Sequence, residues 1–224
     1  MKRHFEQELE GLKTNLIKMG SIAEEAIALA VRALHEHDAA LAQKVIDGDE
    51  RVNALEIEID NAIVDLLALQ QPVAVDLRLI LAAQKINNDL ERIGDHAVNI
   101  AESVGALLRL NAYDALLEIP KMTAVAQEML RDALDAFIHQ DPRLGRTVLE
   151  KDDGIDALNR TMVVQVVELM KKDRNAIDSG LELIRISRNL ERVADLATNI
   201  AEDVIFITQA KVVKHHAEEK KEES

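Results

Sequence analysis

Cysteine is absent from the 224 residues, which excludes disulfide staples, thiolate metal sites and cysteine nucleophiles. Aromatic residues amount to only 2%, with no tryptophan at all, so a core has to be assembled from Leu, Ile, Val, Ala and Met. Three prolines and eight glycines leave little punctuation. That scarcity disfavours a many-turned sheet protein and favours long helices. No run approaches the roughly 18 consecutive apolar residues of a membrane span. The opening Met1-Lys2-Arg3-His4-Phe5 lacks the apolar centre of a signal peptide. The expectation is a cytoplasmic protein.

Positive charge is also scarce. Against 41 Asp and Glu stand 27 Lys and Arg, for a formal charge of −14. Affinity for nucleic acid comes largely from phosphate neutralisation by Lys and Arg, so that partner class is disfavoured. Direct adsorption to an anionic lipid surface is disfavoured for the same reason, which leaves peripheral membrane association through protein partners. The acidity suits cation binding or a basic protein partner, and it also simply keeps a helical protein soluble.

What is present is a repeat. Leu90-Glu91-Arg92-Ile93-Gly94-Asp95-His96-Ala97-Val98-Asn99-Ile100-Ala101-Glu102 returns as Leu190-Glu191-Arg192-Val193-Ala194-Asp195-Leu196-Ala197-Thr198-Asn199-Ile200-Ala201-Glu202, one hundred residues later. Upstream, Leu9, Leu12, Leu16, Met19, Ile22, Ala26, Leu29 and Ala33 keep a 3–4 spacing, which predicts one amphipathic helix over about 5–35. Asp38 is a good N-cap for a second helix, which closes at Gln71-Pro72 because the residue before proline is pushed out of helical geometry. A third helix opens at Pro72 or Asp76 and runs through the signature to about Arg109. The pattern then recurs: a helix over 122–139, then Asp141-Pro142 as cap and first helical residue. Asp152-Asp153-Gly154-Ile155-Asp156 next echoes Asp49-Glu50-Arg51-Val52-Asn53, and the second signature helix follows. A period near one hundred residues fits two bundles better than a solenoid. The fold class expected is therefore all-α, two tandem, sequence-similar three-helix bundles over residues 1–110 and 111–212. A charged, disordered tail is expected over 213–224.

On a helix Glu91, Asp95, Asn99 and Glu102 share one stripe, as do Glu191, Asp195, Asn199 and Glu202. Like charges four apart repel by roughly 0.2–0.5 kcal/mol per pair, so a duplicated stripe asks for a use. The second helix of each unit carries its own pairs, Asp49 with Asn53 (and Glu56 beyond), and Asp152 with Asp156. If the second and third helices are antiparallel neighbours, these stripes face one another. Hard oxygen donors in that arrangement suit Mg, Ca, Mn or Fe. The competing reading pairs Glu91 and Glu191 with arginines, Arg92 and Arg192 or Arg78 and Arg185, along a wet groove. Gly94 admits a close neighbour, and helix packing is the plainer reason for it. Enzyme machinery is missing: no histidine has a glutamate three residues before it, so the di-iron Glu-x-x-His motif is absent. No phosphate loop is present either. His96 has Leu196 as its counterpart, so the repeat does not share a histidine base.

Ile46-Asp47-Gly48-Asp49-Glu50-Arg51-Val52-Asn53, Gln71-Pro72-Val73-Ala74-Val75-Asp76-Leu77-Arg78 and the paired Leu-Glu-Arg-x-x-Asp motifs at 90 and 190 closely resemble the PhoU family over nearly the whole chain. The resemblance implies two similar three-helix bundles. It also implies a non-enzymatic negative regulator of phosphate uptake and of the phosphate-starvation response, an adaptor between the phosphate ABC transporter and a sensor histidine kinase. A homodimer is implied as well. Some family members hold multinuclear metal clusters at paired Glu/Asp-x-x-x-Asp motifs. By position that motif falls on Glu91 and Asp95, on Glu191 and Asp195, and on Asp152 and Asp156. The first unit departs from it with Asn53 beside Asp49. Iron is the metal the family implies first, with Zn, Mn, Mg or Ca as others. The alternative function is thus a metal-binding helical module with a storage, sensing or structural role. A metallohydrolase is the weakest reading.

Overall fold

The computed structural model describes residues 2–110 and 118–209. Residues 111–117, within the joint expected over 110–120, and the tail expected over 213–224 lie outside the described residues. Among those described there is no strand. The helices are α1 (Lys2–Glu36), α2 (Ala39–Gly48), α3 (Glu50–Gln70), α4 (Val75–Leu110), α5 (Ile119–His139), α6 (Pro142–Lys172) and α7 (Ile177–Gln209), with a 3-10 turn at Arg174–Ala176 before the last. No helix among them is long and apolar enough to cross a membrane.

The helix ends follow from local chemistry. The Asp38 carboxylate accepts the Leu41 N–H at 3.0 Å, and Asp141 accepts the Arg143 N–H at 2.8 Å. These aspartates satisfy donors that a helix start otherwise leaves unpaired. Each follows a residue in the left-handed region, His37 at φ 56 and Gln140 at φ 50, so both units turn their first corner the same way. Gln71, at φ 46, ends α3 ahead of Pro72.

One expectation needs correction. The second helix of the first unit is read from sequence as continuous from Asp38 to Gln71, but it breaks at Asp49 into α2 and α3. Gly48 at the break has the second-lowest helix propensity of any residue, and its counterpart is Lys151, inside an unbroken α6.

Each unit buries its apolar stripe inward. Leu12, Leu16, Met19, Ala23 and Ile27 of α1 meet Ile86, Leu90, Ile93, Ala97 and Ile100 of α4, all essentially inaccessible. The α5–α7 pair repeats this with Met122, Met129 and Leu130 against Leu190, Val193 and Ile200. The two units then pack side by side through α4 on α7 and α1 on α5. This double duty explains why α4 and α7 are buried on two faces. Ala83, Ala97 and Ala101 on α4, with Ala194, Ala197 and Ala201 on α7, keep both helices thin enough for close approach. The result places α2 and α3 on one flank and α6 on the other.

Candidate functional site: facing carboxylate stripes and the α4–α7 seam

The sequence-predicted stripes do face one another within each unit. Glu91 is pushed above the usual carboxylate range first by burial and then by Asp95 on its own helix and Glu56 and Asp49 on α3. Glu56 is raised as well, by burial, Asp60 and Asp95. In the second unit burial, Asp195 and Asp156 raise Glu191. Asp195 is raised chiefly by burial, with Arg192 working against it and Asp156 adding to it. A β-carbon at Gly94 would sit 3.2 Å from Val52 Cγ1 and 3.5 Å from Asp49 Oδ1. The glycine therefore serves the approach of α4 to the start of α3. Asn53 donates to Asp49 Oδ2 at 3.0 Å, so its amide relieves the carboxylate charge where the second unit has Asp156. Asp152 sits half-buried on α6, one turn before Asp156.

The arginines do not bind Glu91 and Glu191 in the way the competing reading supposes. Arg92 reaches Asp89 at 3.5 Å and Arg192 lies 4.0 Å from Asp195. Arg185 crosses to the other unit and pairs with Glu102 at 3.2 Å. Among the described residues no three His, Asp or Glu side chains converge closely enough to hold an ion. The donor set, all oxygen and mutually repelling, is chemically suited to a hard cation. The break at Asp49 opens a cleft of about 330 Å3 beside the first stripe, lined by Lys44, Asp47, Asp49, Arg51 and Gly94.

Buried polar residues that sequence reasoning passed over hold the arrangement together. Asn87, fully buried, donates to the Glu56 carbonyl at 3.1 Å and to Asp60 Oδ1 at 2.7 Å. Its counterpart Ser187 donates to Asn159 Oδ1 at 2.6 Å. Both fix the signature helix to the helix before it. The available signal was an amide on an apolar stripe, since Ala83 and Leu90 flank Asn87 at helical spacing.

The remaining polar groups stitch the two units together. Lys85 Nζ meets Asp203 Oδ1 at 2.6 Å, His96 Nδ1 meets Asn189 Oδ1 at 2.8 Å, and Arg185 also donates to Asn99 Oδ1 at 3.4 Å. Partners run in opposite order along the helices, so α4 and α7 are antiparallel, and the pseudo-twofold axis passes near Gly94 and Ala194. The repeated signature is therefore the crossing point of the molecule. Burial chiefly lowers the His96 pKa, and because the Asn189 Oδ1 facing it can only accept, the Nδ1–H donates to it. This accounts for a histidine in one copy only: the axis brings it against an asparagine of the other. Asp89 is pushed up to about 6 by burial, against the opposing pull of Arg92 and Lys85 and the hydrogen bond from Asn199.

Residues 16–104 and 119–204 each match the model of the PhoU domain. The chain belongs to the PhoU family. The two matched stretches fall on the two repeats, so the family unit is one bundle. A relative from Clostridium acetobutylicum, named phosphate-specific transport system accessory protein PhoU homolog, is 34% identical and aligns over 95% of this chain and 97% of its own. A relative of the same name from Aquifex aeolicus is 38% identical over 96% and 98%. The crystal structure of PhoU from Pseudomonas aeruginosa superposes with a TM-score of 0.89 at 37% identity, covering 92% of this chain and all of that one. That of the phosphate transport system regulatory protein PhoU from Streptococcus pneumoniae gives 0.85 at 29% identity. Tandem PhoU-like bundles are thus the family architecture as well as the one read from the repeat.

Proposed function

We propose that this chain is an accessory regulator of phosphate transport that restrains uptake and the phosphate-starvation response without catalysing a reaction itself. It would act on the cytoplasmic side as an adaptor between the phosphate ABC transporter and a sensor histidine kinase. The observation that carries this reading is near-full-length similarity to relatives named as accessory proteins of the phosphate-specific transport system. The architecture favours it too: the two packed units present two related flanks, α3 on one and α6 on the other. Such a body can hold two partners at once. The homodimer implied by the family belongs to the same reading, and sedimentation of the purified chain tests it. Radiolabelled phosphate uptake in cells lacking this gene tests regulation: uptake is expected to rise and starvation-response genes to stay on in abundant phosphate. Unchanged uptake and a normally silenced response would contradict it.

The second reading is a metal-binding role for the facing stripes, favoured by the crowding of like charge there: burial first, and then neighbouring carboxylates, raise Glu56, Glu91 and Glu191. A metal cation, iron first and Zn, Mn, Mg or Ca as others, would offset that negative charge. Glu91, Asp95, Asp49 and Asn53 would hold it in the first unit, and Glu191, Asp195, Asp152 and Asp156 in the second. Bound there it would neutralise the stripes and tie each signature helix to its neighbour.

A further inference from the structure

The outer face of α3 carries apolar residues that the fold does not use. Ala54, Ile57, Asn61, Val64 and Ala68 follow each other at spacings of three, four, three and four, and all are exposed. That is the spacing of a helix–helix seam. Ile57 and Val64 are each 61% exposed and Leu69 beside them is 72% exposed. Behind this seam α3 already buries a separate stripe, Val52, Leu55, Ile59, Ile63 and Leu66, against the bundle. The helix therefore has two apolar faces, and only one is covered.

The other unit shows that the second face is not demanded by folding. The matching positions on α6 are Ala157, Arg160, Val164, Val167 and Lys171, so two of the five are charged. The seam belongs to the first unit alone.

The flanks say what fits. Glu58 and Asp65 border the seam on the side toward α1, where Glu58 accepts from Asn15 at 3.0 Å. Asp60 borders it on the side toward α4, where it accepts from Gln84 at 2.8 Å. Residues 52–77 contain no lysine or arginine. A seam of this kind, flanked by one sign of charge, selects a partner helix flanked by the other. A second copy of α3 would bring Glu58 against Asp65, like charge on like charge, so a dimer of this chain uses another face.

We propose that the outer face of α3 is a docking surface for an amphipathic helix of a partner protein. That helix would have apolar residues at the same 3–4 spacing, a polar residue opposite Asn61, and lysines or arginines along both edges.

The absence of tryptophan from the chain makes the test direct. The probe is a synthetic helix roughly three heptads long, with Leu and Ile on its seam, one Asn, Lys on both edges and a single Trp. A twin carries Glu in place of Lys. Titrated with the full-length chain, the Lys helix is expected to bind saturably, more weakly at high salt, and the Glu twin at least about tenfold more weakly. Two variants separate the contributions. Ile57→Asn with Val64→Asn removes the apolar contact and keeps the charge. Glu58→Gln with Asp65→Asn does the reverse. Each is expected to weaken binding about tenfold, with an unchanged melting curve because all four side chains are exposed. Parent-like binding by either variant, or equal binding of the twin, would overturn the proposal. So would self-association of the parent that Ile57→Asn with Val64→Asn abolishes, since the occupant would then be a second copy.

Discussion

Lys85 of the first unit lies 2.6 Å from Asp203 of the second, with its ammonium 5.8 Å from the centre of the Phe206 ring. The pair ties the start of α4 to the end of α7, and Asp203 is almost inaccessible while Lys85 is half-exposed. Removing the cation leaves a nearly buried carboxylate without this counter-charge. Lys85→Met is expected to cost about 1–2 kcal/mol, below the 3–5 of a fully buried pair because solvent screens the lysine. Urea unfolding at neutral pH measures it. A change below about 0.3 kcal/mol would show that the seam does not depend on this bond.

Asp89 supplies a pH dependence with a definite sign. Its folded pKa, about 6, stands above the ordinary 3.8, so between those values the folded state holds more proton than the unfolded one. Stability from this group is present below pH ~4 and is lost as pH rises through ~6. The second unit has Asn189 at this position, so an amide suits the helix there. Asp89→Asn is expected to add on the order of 2 kcal/mol at pH 7 and almost nothing at pH 4. Chemical denaturation of parent and variant across that range checks it. A gain that does not grow with pH would refute the assignment.

The capping aspartates give a paired test of the repeat. Asp38→Ala and Asp141→Ala each remove an acceptor from a helix start and are expected to cost about 1 kcal/mol apiece. The sites lie in different units, so the costs should add in the double variant. A double variant no worse than either single one would mean that the two corners do not contribute independently.

The metal reading is checked by removing its donors. If the stripes take a hard cation, added metal raises the melting temperature of the parent, because a ligand that prefers the folded state stabilises it. The effect should vanish in Glu91→Ala with Glu191→Ala, along with the metal measured by elemental analysis. Metal content unchanged in that double variant would exclude the stripes as the site.

Much of this architecture was legible in the chain because helical cores write themselves in local spacing. The apolar period, Asp38 and Asp141 as caps, and Gln71-Pro72 as a stop placed the helix ends within a few residues. The facing of Glu91 with Asp49 and Glu56 followed from a short connection between neighbouring helices. What local spacing does not encode is the contact between units. Nothing near Asp89, His96 or Lys85 in sequence announces Asn199, Asn189 or Asp203, which lie roughly a hundred residues away. Only the pseudo-twofold through Gly94 and Ala194 brings them together. The arginine reading offers Arg185 as one of two alternatives for Glu191, but its partner Glu102 is on the other unit. The break at Asp49 was missed because the apolar period continues through it.

The central claim is attachment to phosphate transport, and the most direct measurement is a pull-down of tagged full-length chain from native, intact, correctly solubilised membranes of cells grown with and without phosphate. The account predicts capture of the phosphate transporter's ATPase subunit together with a sensor histidine kinase, in proportions that change with phosphate supply. Capture of neither protein under either condition would contradict it.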